Sequence, residues 1–218
     1  QLRRKRIERF VVAVICQVLV DSHDPAFRSP TKPIGPFLTR EQAEERRTTL
    51  GWEVIDDQGR GWRRVVPSPE PKKVVQWRMI RDAAREGHIV IACGGGGIPV
   101  LKSADGDFVG AEAVIDKDLT TSLLGSEVGA DFLIILSDVP NVYLDYNKPT
   151  QRALNGVTLE EVERHINDGH FPEGSMGPKV EAIRRFLRTG GKRGLITSPD
   201  CLPEALEGRA GTHFIGKL

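Results

Sequence analysis

The strongest constraint on this chain is the spacing of its apolar runs. Segments 11–20, 88–93, 132–136, 194–197 and 212–216 are short and almost wholly apolar, and helical patterns separate them. A strand that is apolar on both faces belongs inside a parallel sheet, and intervening helices supply the crossovers. The pattern therefore predicts an α/β fold, with a mainly parallel sheet covered on both faces. Helices are expected over 39–50, 73–86, 117–128, 158–167 and 178–188, with a short one near 203–206. Thr39 with Gln42 and Thr158 with Glu161 have the spacing of capping boxes, Gly51 and Gly87 stand as stops, and Pro178 suits a first helical turn.

Segment 22–70 breaks the rhythm. It holds Pro25, Pro30, Pro33, Pro36, Pro67 and Pro69, six of the fourteen prolines, and two short strands (52–55 and 62–66) around the turn Asp57-Gln58-Gly59. It reads as an insertion projecting from the main sheet.

Composition narrows the function classes. Lys and Arg number 31 and Asp and Glu 30, a formal charge of +1, so nothing draws the chain as a whole to nucleic acid or an anionic membrane. Arg60, Arg63 and Arg64 around Trp62 make a local basic patch, but no nucleic-acid motif accompanies it. No apolar run reaches the ~18 residues of a membrane helix. The basic start (Arg3, Arg4, Lys5, Arg6, Arg9) before an apolar run imitates a signal peptide without an A-x-A-like cleavage site, and reads instead as a solvated helix end feeding a strand. Cys16, Cys93 and Cys201 form no C-x-x-C pair. Buried free thiols are expected at Cys16 and Cys93, which points to a reducing, cytoplasmic compartment. The five histidines show neither H-x-x-x-H nor H-E-x-x-H, and no zinc site is expected from them.

Five segments carry chemistry, one of them Ser29 to Pro36, whose prolines stiffen the chain and could hold Lys32 in a defined position. Gly94, Gly95, Gly96 and Gly97 follow a strand directly, where ligands gather in open α/β sheets; they read as an anion cradle or as a flexible turn. In Asp116-Lys117-Asp118 two carboxylates flank a lysine at a helix start, either a phosphate site or a plain N-cap beside a solvated lysine. Gly174-Ser175-Met176-Gly177-Pro178-Lys179 puts Lys179 in a first helical turn. A cation is disfavoured there, so an anionic partner is one reading and a solvent-facing lysine the other. Ser137, Asp138, Tyr143 and Tyr146 follow a buried strand and line a nucleotide or form an ordinary turn. There is neither G-x-G-x-x-G, a Walker loop nor a G-x-S-x-G elbow.

The ordered set Pro30-Thr31-Lys32-Pro33-Ile34-Gly35-Pro36-Phe37, Gly61 to Pro69, Cys93 to Val100, Glu112 to Asp118 and Gly169-His170-Phe171 to Lys179 closely resembles the carbamate kinases of the amino acid kinase family. The resemblance implies a three-layer αβα sandwich, a homodimer, and reversible phosphoryl transfer between ATP and carbamate with Mg²⁺ carried on the nucleotide phosphates. It makes 1–218 one kinase domain, with a lid subdomain within 22–70. It assigns Lys117 and Lys179 to the ATP phosphates, Asp116 and Asp118 to orienting Lys117 or organising Mg²⁺, and Lys32 to the transferring phosphate. Gly94 to Gly97 would line the acceptor region, and Ser137, Asp138, Tyr143, Tyr146, Ser175 and Met176 the nucleotide. Ser137 stands where the family pattern has threonine.

The family's opening Gly-Gly-Asn loop and its Ser-His-Gly-Asn-Gly loop do not occur, and Gln1 aligns well inside the family's chain. The expectation is a carboxy-terminal piece lacking amino-terminal strands. Two other readings follow: a related phosphotransferase acting on another acid, or a nucleotide-binding fragment without activity.

Overall fold

The computed structural model describes residues 3–5, 8–57, 59–171 and 176–216. Its strands and helices in chain order are β1 (Val11–Ala13), β2 (Gln17–Leu19), β3 (Lys32–Leu38), α1 (Arg40–Leu50), β4 (Val54–Asp56), β5 (Trp62–Val66), β6 (Lys73–Val74), α2 (Trp77–Arg85), β7 (Ile89–Ile91), β8 (Ile98–Lys102), β9 (Phe108–Gly110), α3 (Lys117–Val128), β10 (Phe132–Leu136), β11 (Val142–Leu144), β12 (Arg152–Leu154), β13 (Gly156–Thr158), α4 (Leu159–Asn167), α5 (Met176–Arg188), β14 (Arg193–Thr197), α6 (Leu202–Leu206) and β15 (Thr212–Ile215).

The principal crossover pairs are parallel: β1 with β7, β2 with β8, β10 with β14, and β13 with β15. Antiparallel pairs extend them, giving the orders β6-β2-β8-β9 and β10-β14-β15-β13. These sheets are thus mixed: β9 joins by a hairpin from β8, while β6 and β15 return antiparallel after longer connections. Both capping boxes form, Thr39 with Gln42 and Thr158 with Glu161, and Gly51 closes α1 in a left-handed conformation.

Two expectations change. The run 11–20 is two strands, because the chain changes partner midway. Val14 N–H still donates to the Ile91 carbonyl, whereas the Cys16 carbonyl already accepts from Ile98 N–H. The buried Cys16 thiol sits at this switch and accepts a hydrogen bond from Cys93 N–H at 3.2 Å. Helix α2 starts at Trp77 rather than Lys73. Val74 pairs with Val18, and Val75 N–H donates to the Gln17 carbonyl, so the sheet claims these β-branched residues first.

Segment 22–70 contains a separate three-stranded antiparallel sheet, β3-β5-β4, with α1 beside it. Several of its arginines make contacts within the segment. Asp57 pairs with Arg60 at 3.0 Å and Arg63 at 3.3 Å, and Arg46 and Arg64 lie over the Trp52 ring.

The core has two clusters. One gathers Leu133, Ile135, Val180, Ile183, Phe186, Ile196 and Phe214 around β10, β14 and α5. The other gathers Cys16, Val18, Val74, Ile80, Cys93 and Ile115 beneath α3. Cys16 and Cys93 are buried free thiols, as the sequence implies, and burial above all pushes the Cys93 thiol up to about 12. Along β1, β7 and β10 the alternate residues Val11, Ile91, Ile134 and Leu136 remain exposed among the described residues.

Phe186 of α5 is fully buried, its ring against Gly125 of α3 and Gly191, so its removal leaves a cavity there. Phe186→Ala is expected to cost ~3–5 kcal/mol, measured as the shift in the urea unfolding free energy. A loss under ~1 kcal/mol would show that the cluster repacks.

Candidate active site

The site forms where the glycine turn meets the start of α3. Cys93 has φ +53°, Gly94–Gly96 make a single 3-10 turn, and Gly96 has φ +110°. A Cβ on Gly96 would collide with the Ile115 carbonyl oxygen, so only glycine lets the turn approach the residue before Asp116. Thr120 Oγ1 donates to the Gly96 carbonyl at 3.0 Å and locks turn and helix together. Thr120 was not foreseen. A threonine inside a helix gives no local signal, and only the fold shows the carbonyl it faces.

Asp116 is the N-cap of α3. Its Oδ1 accepts from the backbone N–H of Asp118 at 2.9 Å and of Leu119 at 3.3 Å. Its other oxygen, Oδ2, accepts from Lys32 Nζ at 2.8 Å, across 84 residues of chain. Burial alone would raise the Asp116 pKa, but the Lys32 ammonium and the two backbone donors outweigh it and hold the carboxyl below its ordinary 3.8.

Asp118 lies in the first turn of α3 and is buried. Lys179 Nζ donates to its Oδ2 at 2.8 Å, and Lys117 Nζ stands 3.5 Å from the same oxygen. Lys179 is itself only 10% exposed, while Lys117 is 62% exposed. Lys179 therefore fits neither sequence reading fully, being turned inward onto a carboxylate from another helix. The two aspartates also divide their work differently from the expectation: Asp116 holds Lys32, and Asp118 holds Lys179 beside Lys117. Three ammonium groups face two carboxylates, a net charge of +1 at the N-termini of two helices. This is an arrangement suited to a polyanion.

Both carboxylates carry an ammonium at 2.8 Å. That donor set does not fit a Mg²⁺ ion held by the protein itself, which wants uncommitted oxygens.

The remaining expected residues fall into smaller groups. Ser137 is buried at the end of β10 and donates its N–H to the Thr197 carbonyl at 2.8 Å. Thr197 Oγ1 is buried without a hydrogen-bond partner at the end of β14, a polar position the sequence reading passed over. Asp138 is exposed. The Tyr143 and Tyr146 rings lie 6.0 Å apart, with Tyr146 largely exposed. Met176 packs against the larger core cluster. Gly94 and Gly95 are exposed and Gly96 is buried. Ser175 lies outside the described residues.

The depressed Asp116 pKa has a consequence for stability. The folded carboxyl stays ionised where the unfolded one, at 3.8, takes up a proton. Its contribution is present above that value and lost as pH falls through the folded one. Between pH ~5 and ~3 the wild type should lose stability more steeply than Asp116→Asn, followed by the urea midpoint. Parallel curves would detach Asp116 from acid unfolding.

Comparison with known proteins gives one answer. A sequence model of the amino acid kinase family matches residues 28–198. Carbamate kinase of Thermococcus kodakarensis is 48% identical over 215 residues, covering 99% of this chain and 68% of that protein. Carbamate kinase of Pyrococcus horikoshii is 50% identical over 213 residues, covering 98% and 68%. The structure of carbamate kinase from Giardia lamblia bound to AMP-PNP superposes with a TM-score of 0.88 at 40% identity, over 99% of this chain and 68% of that one. The chain thus spans about two thirds of the length of these relatives. By family model, sequence and structure alike, it belongs to the amino acid kinase family, within its carbamate kinase group.

Proposed function

We propose that this chain carries the phosphate-handling part of a carbamate kinase, an ATP-dependent phosphotransferase that exchanges a phosphoryl group between ATP and carbamate and usually runs toward ATP. The observation that carries the reading is the cluster of Lys32, Lys117 and Lys179 on Asp116 and Asp118 at the start of α3. In the ATP-forming direction a terminal phosphate oxygen of ADP attacks the phosphorus of carbamoyl phosphate. The bond from phosphorus to the carbamate oxygen breaks, and carbamate leaves with the electron pair. Such transfer needs positioning and charge stabilisation rather than covalent help from the protein.

Each lysine has a part set by its surroundings. Lys179, fixed by Asp118, offers an ammonium whose direction is decided before substrate arrives. Lys117 is exposed and free to turn onto a nucleotide phosphate. Lys32 sits at the start of β3, so the three-stranded unit of segment 22–70 acts as a lid. The negative charge of the transferring phosphoryl group competes with Asp116 for Lys32 and brings that lid down. Tyr143 and Tyr146 border the base, with Ser137, Asp138, Ser175 and Met176 around the nucleotide. Gly94 to Gly97 offer backbone N–H groups to the acceptor side. Magnesium enters on the nucleotide phosphates, where it offsets their charge. A homodimer and a cytoplasmic location belong to the same reading. Two buried free thiols accord with a reducing compartment, and no described helix is long and apolar enough to cross a membrane.

The test is ATP formation from ADP and carbamoyl phosphate with Mg²⁺, read by a coupled luminescent assay. Lys117→Ala changes an exposed side chain and is expected to fold normally, with turnover reduced ~10²-fold or more. A near wild-type rate would remove Lys117 from the phosphate site. A folded wild type that turns over another acid faster than carbamate would overturn the substrate assignment.

A further inference from the structure

The carboxyl end of α4 brings together three side chains that the kinase reading leaves unused. His165 lies in the last turn, and Asp168 is the C-cap. Gly169, at φ +76°, then reverses the chain so that His170 N–H donates back to the His165 carbonyl at 3.1 Å. The two imidazole rings meet edge to face, with centroids 5.6 Å apart. One potential ligand atom from each of His165, Asp168 and His170 lies within 4.8 Å of the other two.

A second observation points to a ligand. His165 Nδ1 is buried and has no hydrogen-bond partner. A buried ring nitrogen without a partner is costly, and metal coordination is one way to satisfy it. Asp145 Oδ1 stands 3.8 Å from His170 Nδ1, beyond hydrogen-bond distance, and places a negative charge beside that ring. Arg152 and Arg164 oppose a cation here, and Asp145 and Asp168 favour one.

We propose that His165, Asp168 and His170 form a three-ligand site for a divalent transition metal of the zinc class, with a fourth position open to water or another ligand. Two imidazole nitrogens and one carboxylate oxygen are a donor set that selects such ions over Mg²⁺ and Ca²⁺. The spacing is His-x-x-Asp-x-His. It escapes a search for two histidines four apart on one helix, because the third ligand returns across the helix end. A bound ion would tie the last turn of α4 to His170, just beyond the helix end.

The experiment titrates the metal-free protein with ZnCl₂ in a non-chelating buffer. Calorimetry reads affinity, and long-range ¹H–¹⁵N correlation reads the histidine rings. One equivalent should bind, the His165 and His170 resonances should shift together, and the thermal midpoint should rise. Asp168→Asn changes an exposed side chain and leaves the fold intact, yet should weaken zinc by more than ~10-fold, since even outer partners of metal ligands are worth that much. His165→Ala should abolish the event. Zinc binding that is unchanged in Asp168→Asn, or that leaves both rings unmoved, overturns the proposal. So does a wild type that binds no zinc.

Discussion

The ion pair between Lys179 and Asp118 is the interaction on which the site depends. Both side chains are about nine-tenths buried, and the nitrogen and oxygen are 2.8 Å apart. Neither charge is tolerable there alone, because removing one partner of a buried pair strands the other in a poor solvent. The pair therefore obliges the first turn of α5 to face the first turn of α3. Asp118 gains from the helix dipole of α3, whereas Lys179 works against that of α5. Their contact offsets the second cost with the first. The result is a lysine whose position is settled in advance; in the transfer proposed above, a charge held in this way needs no reorganisation.

Around that pair the other elements are fixed by contacts of three different kinds. Asp116 spends one oxygen on capping α3 and the other on Lys32, so one carboxylate links a helix start to a strand 84 residues earlier. Gly96 lets the turn after β7 touch the Ile115 carbonyl, and Thr120 fastens it. Cys16 and Cys93 join the point where the first apolar run changes partner to the residue that opens the glycine turn. Backbone geometry, capping and burial thus converge on the start of one helix, where three ammonium groups and helix N-termini are gathered.

The segment carrying β3, α1, β4 and β5 has its own sheet and its own charge pairs. It meets the lysine cluster through Lys32, and Val114 N–H also donates to the Pro67 carbonyl. Such a unit can move as a body while its internal contacts stay intact. The half-buried Lys32 is easier to redirect than the buried Lys179. Lys32 and Lys179 thus differ in burial, 35% against 10% exposed, which accords with the lid role proposed for the unit that carries Lys32.

The sequence by itself determined the class of fold, the two capping boxes, the limits of α3 and β10, and the motifs that mark the family. These rest on local rules: apolar periodicity, cap chemistry, and glycine where φ is positive. It also placed Lys32, Asp116, Lys117, Asp118 and Lys179 in one site through the family resemblance. Only the tertiary structure decided which aspartate holds which lysine, because residues 61 and 84 positions apart carry no mutual signal in a single chain. It divided the run 11–20 between two partners and gave Lys73–Val74 to the sheet, since backbone pairing with a distant strand outweighs a local helical pattern. It also folded His170 back over His165, a meeting that linear spacing conceals because the chain reverses at Gly169.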